Sequence, residues 1–344
     1  MPEFFGVTGK ILRVDLSTEK TSVIETPEEV YQQYLGGVGL GLYYLFKEGI
    51  VAPDVQPFDP KNLWQLMMGP LNGVIPGTRS AIVTKSPYNF ICLTYSGGSG
   101  VGELRFAGWD GLQFTGKARD LIWVSIVDDK VGFHDAKDLK GKLSDETEFI
   151  LKTRDEAKSP LELRKRRVMT SADLPTITDA SGRKVSAWDW WNVRPNPEHA
   201  IGEKLLSKFW SIGPAGEKGA WHGCVVTEGP NVHGRLGAGA ILGSKNVKAI
   251  SVRGTKGHKV KDKAKTLELI RNTIAAMKLS SSNRTYGTAG IPPGANNRED
   301  AYPIRNYQYM AWHDPRSVSS MAGSFLDEIS WVKHKNCCAI GCQI

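Results

Sequence analysis

Apolar and polar residues alternate along KILRVDL at 10–16, which predicts a strand with one face on a core. STEKTSVIE then reads as a turn and a second short strand. Apolar runs bounded by Gly, Pro or Asp predict further strands at 62–69 (NLWQLMMG), 80–86 (SAIVTKS), 90–96 (FICLTYS), 111–118 (GLQFTGKA), 120–129 (DLIWVSIVDD) and within 250–257 (ISVRGTKG). The period lengthens elsewhere. PEEVYQQYL (27–35) opens with Pro and acids, as helix starts do, and GGVGLGLYYLFKEG (36–49) passes from glycines into an amphipathic helix. Val101, Leu104, Phe106 and Ala107 keep helical spacing up to a Gly stop, and TLELIRNTIAAMK (266–278) predicts one more helix.

From about 158 to 210 the pattern is lost. This stretch is polar and basic, carries Trp188, Trp190 and Trp191, and reads as an excursion from a core. The segment after the last helix is loop-rich, and no internal repeat of 20–50 residues or low-complexity tract is present.

At 344 residues, with 40% hydrophobic and 23% charged residues, the chain can bury a sizeable core in one large or two ordinary domains. No apolar run approaches the roughly 18 residues of a membrane span, and the start lacks a signal-peptide layout, so no membrane partner is expected. Five cysteines gathered mostly at one end do not make a disulfide framework, and a reducing cytoplasm is the expected location. The net charge of +8 comes largely from LRKRR (163–167) and KGHKVKDKAK (256–265). Neither cluster is interleaved with aromatics, so solvated surface is the expectation, and nucleic acid is not an expected partner. A basic face that attracts an acidic redox partner or anionic cofactor is the sharper alternative.

Three glycine clusters stand at helix starts: GGVGLG (36–41), SGGSGVGEL (96–104) and HGRLGAGAILGSKN (233–246). Glycine lets a backbone approach a ligand closely and turn N–H groups toward an anion, and equally it marks turns and bulges. None fits a phosphate loop, and GGVGLG follows a helix rather than a strand, unlike a dinucleotide fingerprint. Arg79, after GPLNGVIPGT, and Arg235, beside Gly234, add forked donors suited to phosphate or fused-ring acceptors. Three cysteines, Cys337, Cys338 and Cys342, crowd the last eight residues as potential thiolate ligands of an iron–sulfur cluster or a zinc ion. The sequence as given stops two residues beyond Cys342, so the expected metal site is incomplete. Cys92 lies in a strand pattern and is expected in the core.

The blocks GKILRVDLSTEK, YLGGVGLGLYYL, GPLNGVIPGTRSAIVTKSP and SGGSGVGELRFAGWDGLQFTGKA resemble, in order, the N-terminal domain of the aldehyde ferredoxin oxidoreductase family. SIGPAGEKG, GRLGAGAILGSKNVKAISVRGTK, RTYGTAG and PIRNYQ continue the resemblance. It implies an α+β fold whose N-terminal domain has two β-sheets with flanking helices related by a pseudo-twofold axis, followed by the start of a mainly helical domain. On that reading residues 1–257 are the pterin-binding domain with an insertion at about 158–210, and 258–344 begin the helical domain.

The implied cofactors are a tungsten or molybdenum bispyranopterin, a [4Fe–4S] cluster, and magnesium bridging the pterin phosphates. By motif position Arg79 resembles the arginine between pterin and cluster, Gly97 a backbone pterin contact, and Gly234 and Arg235 the second pterin loop. Tyr95 stands where the family has Asn, and Asn231 and Val232 stand where it has a basic residue and a small neighbour, with His233 next. The family pattern C-x-x-C-x-x-x-C is kept only between Cys338 and Cys342, since Cys337 directly precedes Cys338. Family members are close to twice as long, so the chain is expected to be a truncated or split form. Its implied function is oxidation of a small aldehyde to a carboxylic acid, with electrons passed to ferredoxin or an electron-transfer subunit, and a separate chain carrying the C-terminal half. No catalytic acid–base residue is assigned. A non-catalytic cofactor-binding remnant or assembly subunit is the alternative.

Overall fold

The computed structural model describes residues 5–74, 79–98, 100–156, 176–178, 184–186, 207–227, 231–257, 259–279 and 308. Its contacts divide the chain into two compact units, Met1–Val168 with Glu198–Lys263, and Met169–Pro197 with Ala264–Ile344. In the second unit the described elements are a short hairpin, β9 (Thr176–Thr178) and β10 (Lys184–Ser186), and helix α7 (Lys263–Leu279), which begins on the last residue of the first unit.

The first unit holds two six-stranded sheets. In sheet 1 the alternation read at 10–16 gives β1 (Lys10–Asp15), with Ile11, Leu12 and Val14 buried, and the next run gives β2 (Lys20–Glu25). β3 (Trp64–Met68), β4 (Ser80–Lys85), β5 (Ile91–Ser96) and β6 (Gly111–Thr115) complete the order β2-β1-β6-β3-β4-β5. All residues of β3 and β4 are buried, as expected of central strands covered on both faces. The two buried polar side chains at the middle are paired: Gln113 donates to Gln65 (2.8 Å), and Gln65 donates to the Gly41 carbonyl (2.9 Å).

Sheet 2 repeats this plan with β7 (Ile122–Val127), β8 (Lys130–Asp135), β11 (Lys208–Ser211), β12 (Val225–Thr227), β13 (Asn231–His233) and β14 (Val247–Arg253), in the order β13-β12-β11-β14-β7-β8. Each sheet has one parallel pair, β1 with β6 and β7 with β14, and antiparallel pairs elsewhere. The chain therefore winds the same six-strand topology twice, in keeping with the two related sheets the resemblance implies. A repeat of this length carries no short-period signal, which is why none was visible in the sequence.

The helices of the first unit are α1 (Glu28–Tyr34), α2 (Gly37–Lys47), α3 (Gly100–Phe106), α4 (Ser144–Glu156), α5 (Pro214–Glu217) and α6 (Ala238–Ser244). One core takes Leu12, Trp64, Leu66 and Phe114 from sheet 1, Val124, Ile126, Trp210, Ile250 and Val252 from sheet 2, and Leu104 and Ile241 from α3 and α6. A second cluster joins sheet 1 to α1 and α2, and a third joins sheet 2 to α4 through Leu151, Phe209 and Ala249. Phe209 and Trp210 lie at the end of the stretch read as polar excursion, and both are buried in β11, so the core resumes there.

The first glycine cluster is accounted for by this packing. Gly36 has φ +127° at the sharp corner between α1 and α2. A Cβ at Gly39 would stand 2.3 Å from the Tyr34 carbonyl, and one at Gly41 2.7 Å from Val83 on β4. GGVGLG is thus a corner and a close helix–sheet approach, and it needs no ligand to explain it.

Candidate functional site

The other two glycine clusters occupy equivalent places in the two halves, each between the fifth strand of the repeat and a short helix. β5 runs through Gly97 into α3, and β13 runs through Gly234 into α6. Aligned on these two glycines, Tyr95 matches Val232 and Ser96 matches His233. The ladder registers agree, since Ser96 pairs with Ser80 at the start of β4, and His233 pairs with Val225 at the start of β12.

β5 and β13 are the edge strands of their sheets and lie against each other. His233, fully buried, joins them: its Nδ1 lies 3.1 Å from the Thr94 carbonyl and its Nε2 3.1 Å from Ser80 Oγ. A carbonyl only accepts, so Nδ1 carries the proton and Nε2 accepts from the serine hydroxyl. On the outward face of this seam is a shallow pocket of about 380 Å³ lined by Leu93, Thr94, Tyr95, Val232, Gly234 and Arg235.

Four of the seven candidate cofactor residues, Tyr95, Val232, Gly234 and Arg235, therefore meet in one pocket. Tyr95 is 53% exposed, and Val232 and Arg235 are exposed beside it. The other three do not line it. Strand alternation puts Asn231, half-buried, on the face of β13 opposite Val232. Gly97 is buried directly after Ser96. Arg79 is exposed at the entry to β4, where Asn72 clasps its backbone by accepting from its N–H (3.0 Å) and donating to its carbonyl (2.6 Å). Cys337, Cys338 and Cys342 lie outside the described residues. Cys92 is a core residue, its thiol pushed up to about 12 by burial, while the half-buried Cys224 immediately precedes β12, as Arg79 precedes β4. Among the described residues no group of three or more His, Cys, Asp or Glu is placed to hold a metal ion. A larger surface hollow of about 470 Å³, lined by Asp15, Glu48, Lys61 and Thr115 among others, contains none of the candidates.

Two observations fit a ligand at the seam. Among the described residues a Cβ at Gly234 would meet only Val232 Cγ1, at an ordinary 3.6 Å, so no contact among them requires glycine there. Three residues on, Gly237 has φ +74° and a Cβ there would lie 2.2 Å from the Trp221 carbonyl, so that glycine is structural. The second observation is the Ser96 hydroxyl beside Gly97, which is buried with no hydrogen-bond partner among the described residues. With Arg235 lining the pocket, these features suit an anionic, hydrogen-bonding group that approaches the backbone closely.

Sequence reasoning missed what holds the loops in place. Trp64 on β3 donates to the Ala238 carbonyl at the start of α6 (3.1 Å). On the other side Arg105 of α3 is ion-paired with Asp110, with neither side chain exposed, and donates to the Gly69 carbonyl (2.9 Å) at the head of the loop carrying Asn72 and Arg79. Asn72, within GPLNG, was the one supporting residue whose motif could have drawn attention.

Burial lowers the His233 pKa from 6.5 to about 4, because a charged imidazole would be desolvated there. The unfolded chain therefore takes up this proton before the folded one. The stabilisation is complete above about pH 6.5 and is lost as pH falls toward 4, by up to about 3 kcal/mol. Chemical denaturation at pH 7 and pH 4.5 should show that drop, and His233→Phe should remove this part of the slope.

The fold is a base of two six-stranded sheets, and the seam carries a candidate ligand loop in its second half. The model of the aldehyde ferredoxin oxidoreductase N-terminal domain matches residues 11–170 and 189–254. A tungsten-containing aldehyde ferredoxin oxidoreductase from Pyrococcus horikoshii is 34% identical, covering 98% of this chain and 48% of that protein, and one from Pyrococcus abyssi is 35% identical with the same coverage. The aliphatic sulfonate oxidoreductase, WOR-like subunit, of Pyrococcus furiosus is 29% identical, covering 99% of this chain and 49% of that protein. Among solved structures, the active site complex BamBC of benzoyl coenzyme A reductase with 1,5-dienoyl-CoA superposes with a TM-score of 0.67 at 23% identity, over 94% of this chain and 44% of that one, which shows a shared fold. The chain belongs to the aldehyde ferredoxin oxidoreductase family. It spans about half the length of the curated relatives it matches.

Proposed function

We propose that this chain is the base of a tungsten- or molybdenum-bispyranopterin oxidoreductase that converts a small aldehyde to a carboxylic acid. The observation that carries the proposal is the β5–β13 seam, where among the described residues no contact requires Gly234, beside Arg235, to be glycine, and the buried Ser96 hydroxyl at the end of β5 has no hydrogen-bond partner. When bound, the metal–pterin centre would supply the two-electron redox chemistry. The chain's own residues bind and orient: Arg235 and Arg79 offer forked cationic donors, Gly234 and Gly97 let backbone approach the ligand, and Tyr95 and Val232 wall the pocket.

On the same reading Cys337, Cys338 and Cys342 would give thiolates to a [4Fe–4S] cluster, which would supply electron transfer to ferredoxin or an electron-transfer subunit. Magnesium between the pterin phosphates belongs to this reading as well. Residues 1–257 form the base, 258–344 begin a helical domain, and the acid–base residues of the reaction come from sequence equivalent to the half of the relatives that this chain does not span. No helix among the described residues is long and apolar enough to cross a membrane. The test is anaerobic co-production with a chain supplying that half, followed by aldehyde-dependent reduction of ferredoxin. A complex loaded with metal and pterin that leaves ferredoxin oxidised with every aldehyde tried would contradict the aldehyde assignment. A second reading, an inert cofactor-binding subunit, is favoured by Tyr95, which puts an exposed phenol where the family pattern has Asn. It predicts loading without turnover of any substrate class.

Gly234 gives a sharper prediction. Gly234→Ala should change stability by no more than about 0.5 kcal/mol, since the new methyl meets nothing closer than van der Waals contact. Gly237→Ala should be far more damaging, because backbone and strain both oppose it. Thermal denaturation of the two variants tests the contrast.

A further inference from the structure

We infer that His233 is a positioning residue that sets the spacing between the two halves of the seam, a role that rests on reading the seam as the cofactor site. The imidazole links three segments of the chain, its own, that of Ser80 through the serine hydroxyl and that of Thr94 through the backbone carbonyl, and each carries a candidate residue at the neighbouring position. His233 itself, the last residue of β13, precedes Gly234 and Arg235 of the loop. Its Nε2 partner Ser80 follows Arg79, and its Nδ1 partner Thr94 precedes Tyr95. One rigid ring, buried and hydrogen-bonded at both nitrogens, thus spans from the second loop to both strands that bear the first-half candidates.

β5 and β13 are sheet edges, and among the described residues no ladder joins them, so side chains must fix their separation. At the far end of the loop Ser86 Oγ donates to the Leu236 carbonyl (2.8 Å), which anchors the β4–β5 turn. Near the pocket, Cys92 reaches the Arg235 carbonyl only through a weak thiol contact of 3.8 Å. The pseudo-equivalent of His233 is Ser96, whose hydroxyl has no partner among the described residues. The clamp is therefore built once, from the second half onto the first. The neutral imidazole described above suits this use, since it offers one donor and one acceptor to a carbonyl and a hydroxyl.

The test compares the wild-type chain with His233→Phe, Ser80→Ala and a core control, Ile126→Ala, adjusted with denaturant to equal global stability. Native-state amide exchange is read at 79–81, 94–98 and 234–236. The expected result is that His233→Phe speeds exchange in all three segments together by about tenfold beyond the control. Acceleration in one strand alone, or an equal effect in the control, would overturn the inference. Should His233→Phe fail to fold, Ser80→Ala keeps the ring and removes one of its partners. It should then loosen 79–81 and 234–236 together by about threefold, and no coupled change would overturn the inference. Pterin and metal content of the co-produced complex is the second readout, expected to fall at least about fivefold in His233→Phe and to hold in the control. Wild-type protein without pterin would sink the cofactor reading, while the exchange data would still decide whether His233 sets the spacing.

Discussion

Asp110→Ala is expected to destabilise the base by about 3–5 kcal/mol, the usual consequence of stranding one member of a buried ion pair. Arg105 and Asp110 face each other with no solvent exposure, and the Asp110 carboxylate also accepts from the backbone N–H of Thr8 (2.9 Å), the N–H of Gly9 (2.8 Å) and the Tyr31 hydroxyl. Removing it leaves the buried guanidinium without its carboxylate and takes one acceptor from each of two amides and a phenol. Burial lowers the Arg105 pKa only to about 10, so the side chain stays charged at neutral pH and cannot escape by losing its proton. In a unit of this size the loss corresponds to a fall in Tm of roughly 6–20 °C. Asp110→Asn keeps an acceptor for the amides and should cost less. The change should also reach the site, because Arg105 donates to Gly69 at the head of the loop whose Asn72 clasps Arg79. Differential scanning calorimetry of the two variants checks the ranking, and a Tm for Asp110→Ala within a degree of wild type would refute it.

Trp64→Ala should be of similar size, about 3–5 kcal/mol, as for other large aromatic truncations in a packed core. The indole is fully buried at the centre of sheet 1, stacks on Phe114 with ring centroids 5.6 Å apart, and donates to Ala238 at the start of α6. Trp64→Phe separates these contributions. It keeps most of the apolar volume and removes the bond across to the second half, at an expected cost of about 1–3 kcal/mol for the carbonyl left unpaired and the smaller ring. Because α6 follows directly from the 234–237 loop, Trp64→Phe should loosen that loop more than its stability loss alone would require. Amide exchange at 236–240 is the measurement that shows it.

Sheet 1 was readable along the chain because its strands are five or six residues long and separated by clear turns, and all but the exposed edge strand β2 are rich in apolar residues. Sheet 2 was legible only at β7 and β14. β12 and β13 have three residues each, too few to display a period, and β8, KVGFHD, is half-exposed throughout. β11 was hidden because Phe209 and Trp210 follow directly on a long polar stretch. The pairing of β1 with β6, about a hundred residues apart, has no local signature at all. The duplicated topology appears only once the ladders are known.

At the site, the residues carried over by resemblance were the ones composition could never rank. Tyr95, Val232, Gly234 and Arg235 gather in one pocket, while Asn231 turns to the opposite face of its strand, because side chains on a strand alternate. The glycine clusters, alike in sequence, separate in the structure: 36–41 is a corner packed on β4, whereas Gly234 has no internal demand on it. His233 looked like one more substitution in a loop. Its part depends on Ser80 and Thr94, more than a hundred residues away, and no pattern within one segment can show that.

The account stands or falls on whether the seam holds the cofactor. The most direct measurement is the pterin and tungsten or molybdenum content of the anaerobically co-produced complex, wild type against Gly234→Val, with Tm recorded for both. The account predicts a loaded wild-type protein and a variant that melts at nearly the same temperature with most of its pterin gone. A wild-type complex without pterin, or a Gly234→Val complex that keeps all of it, would contradict the assignment.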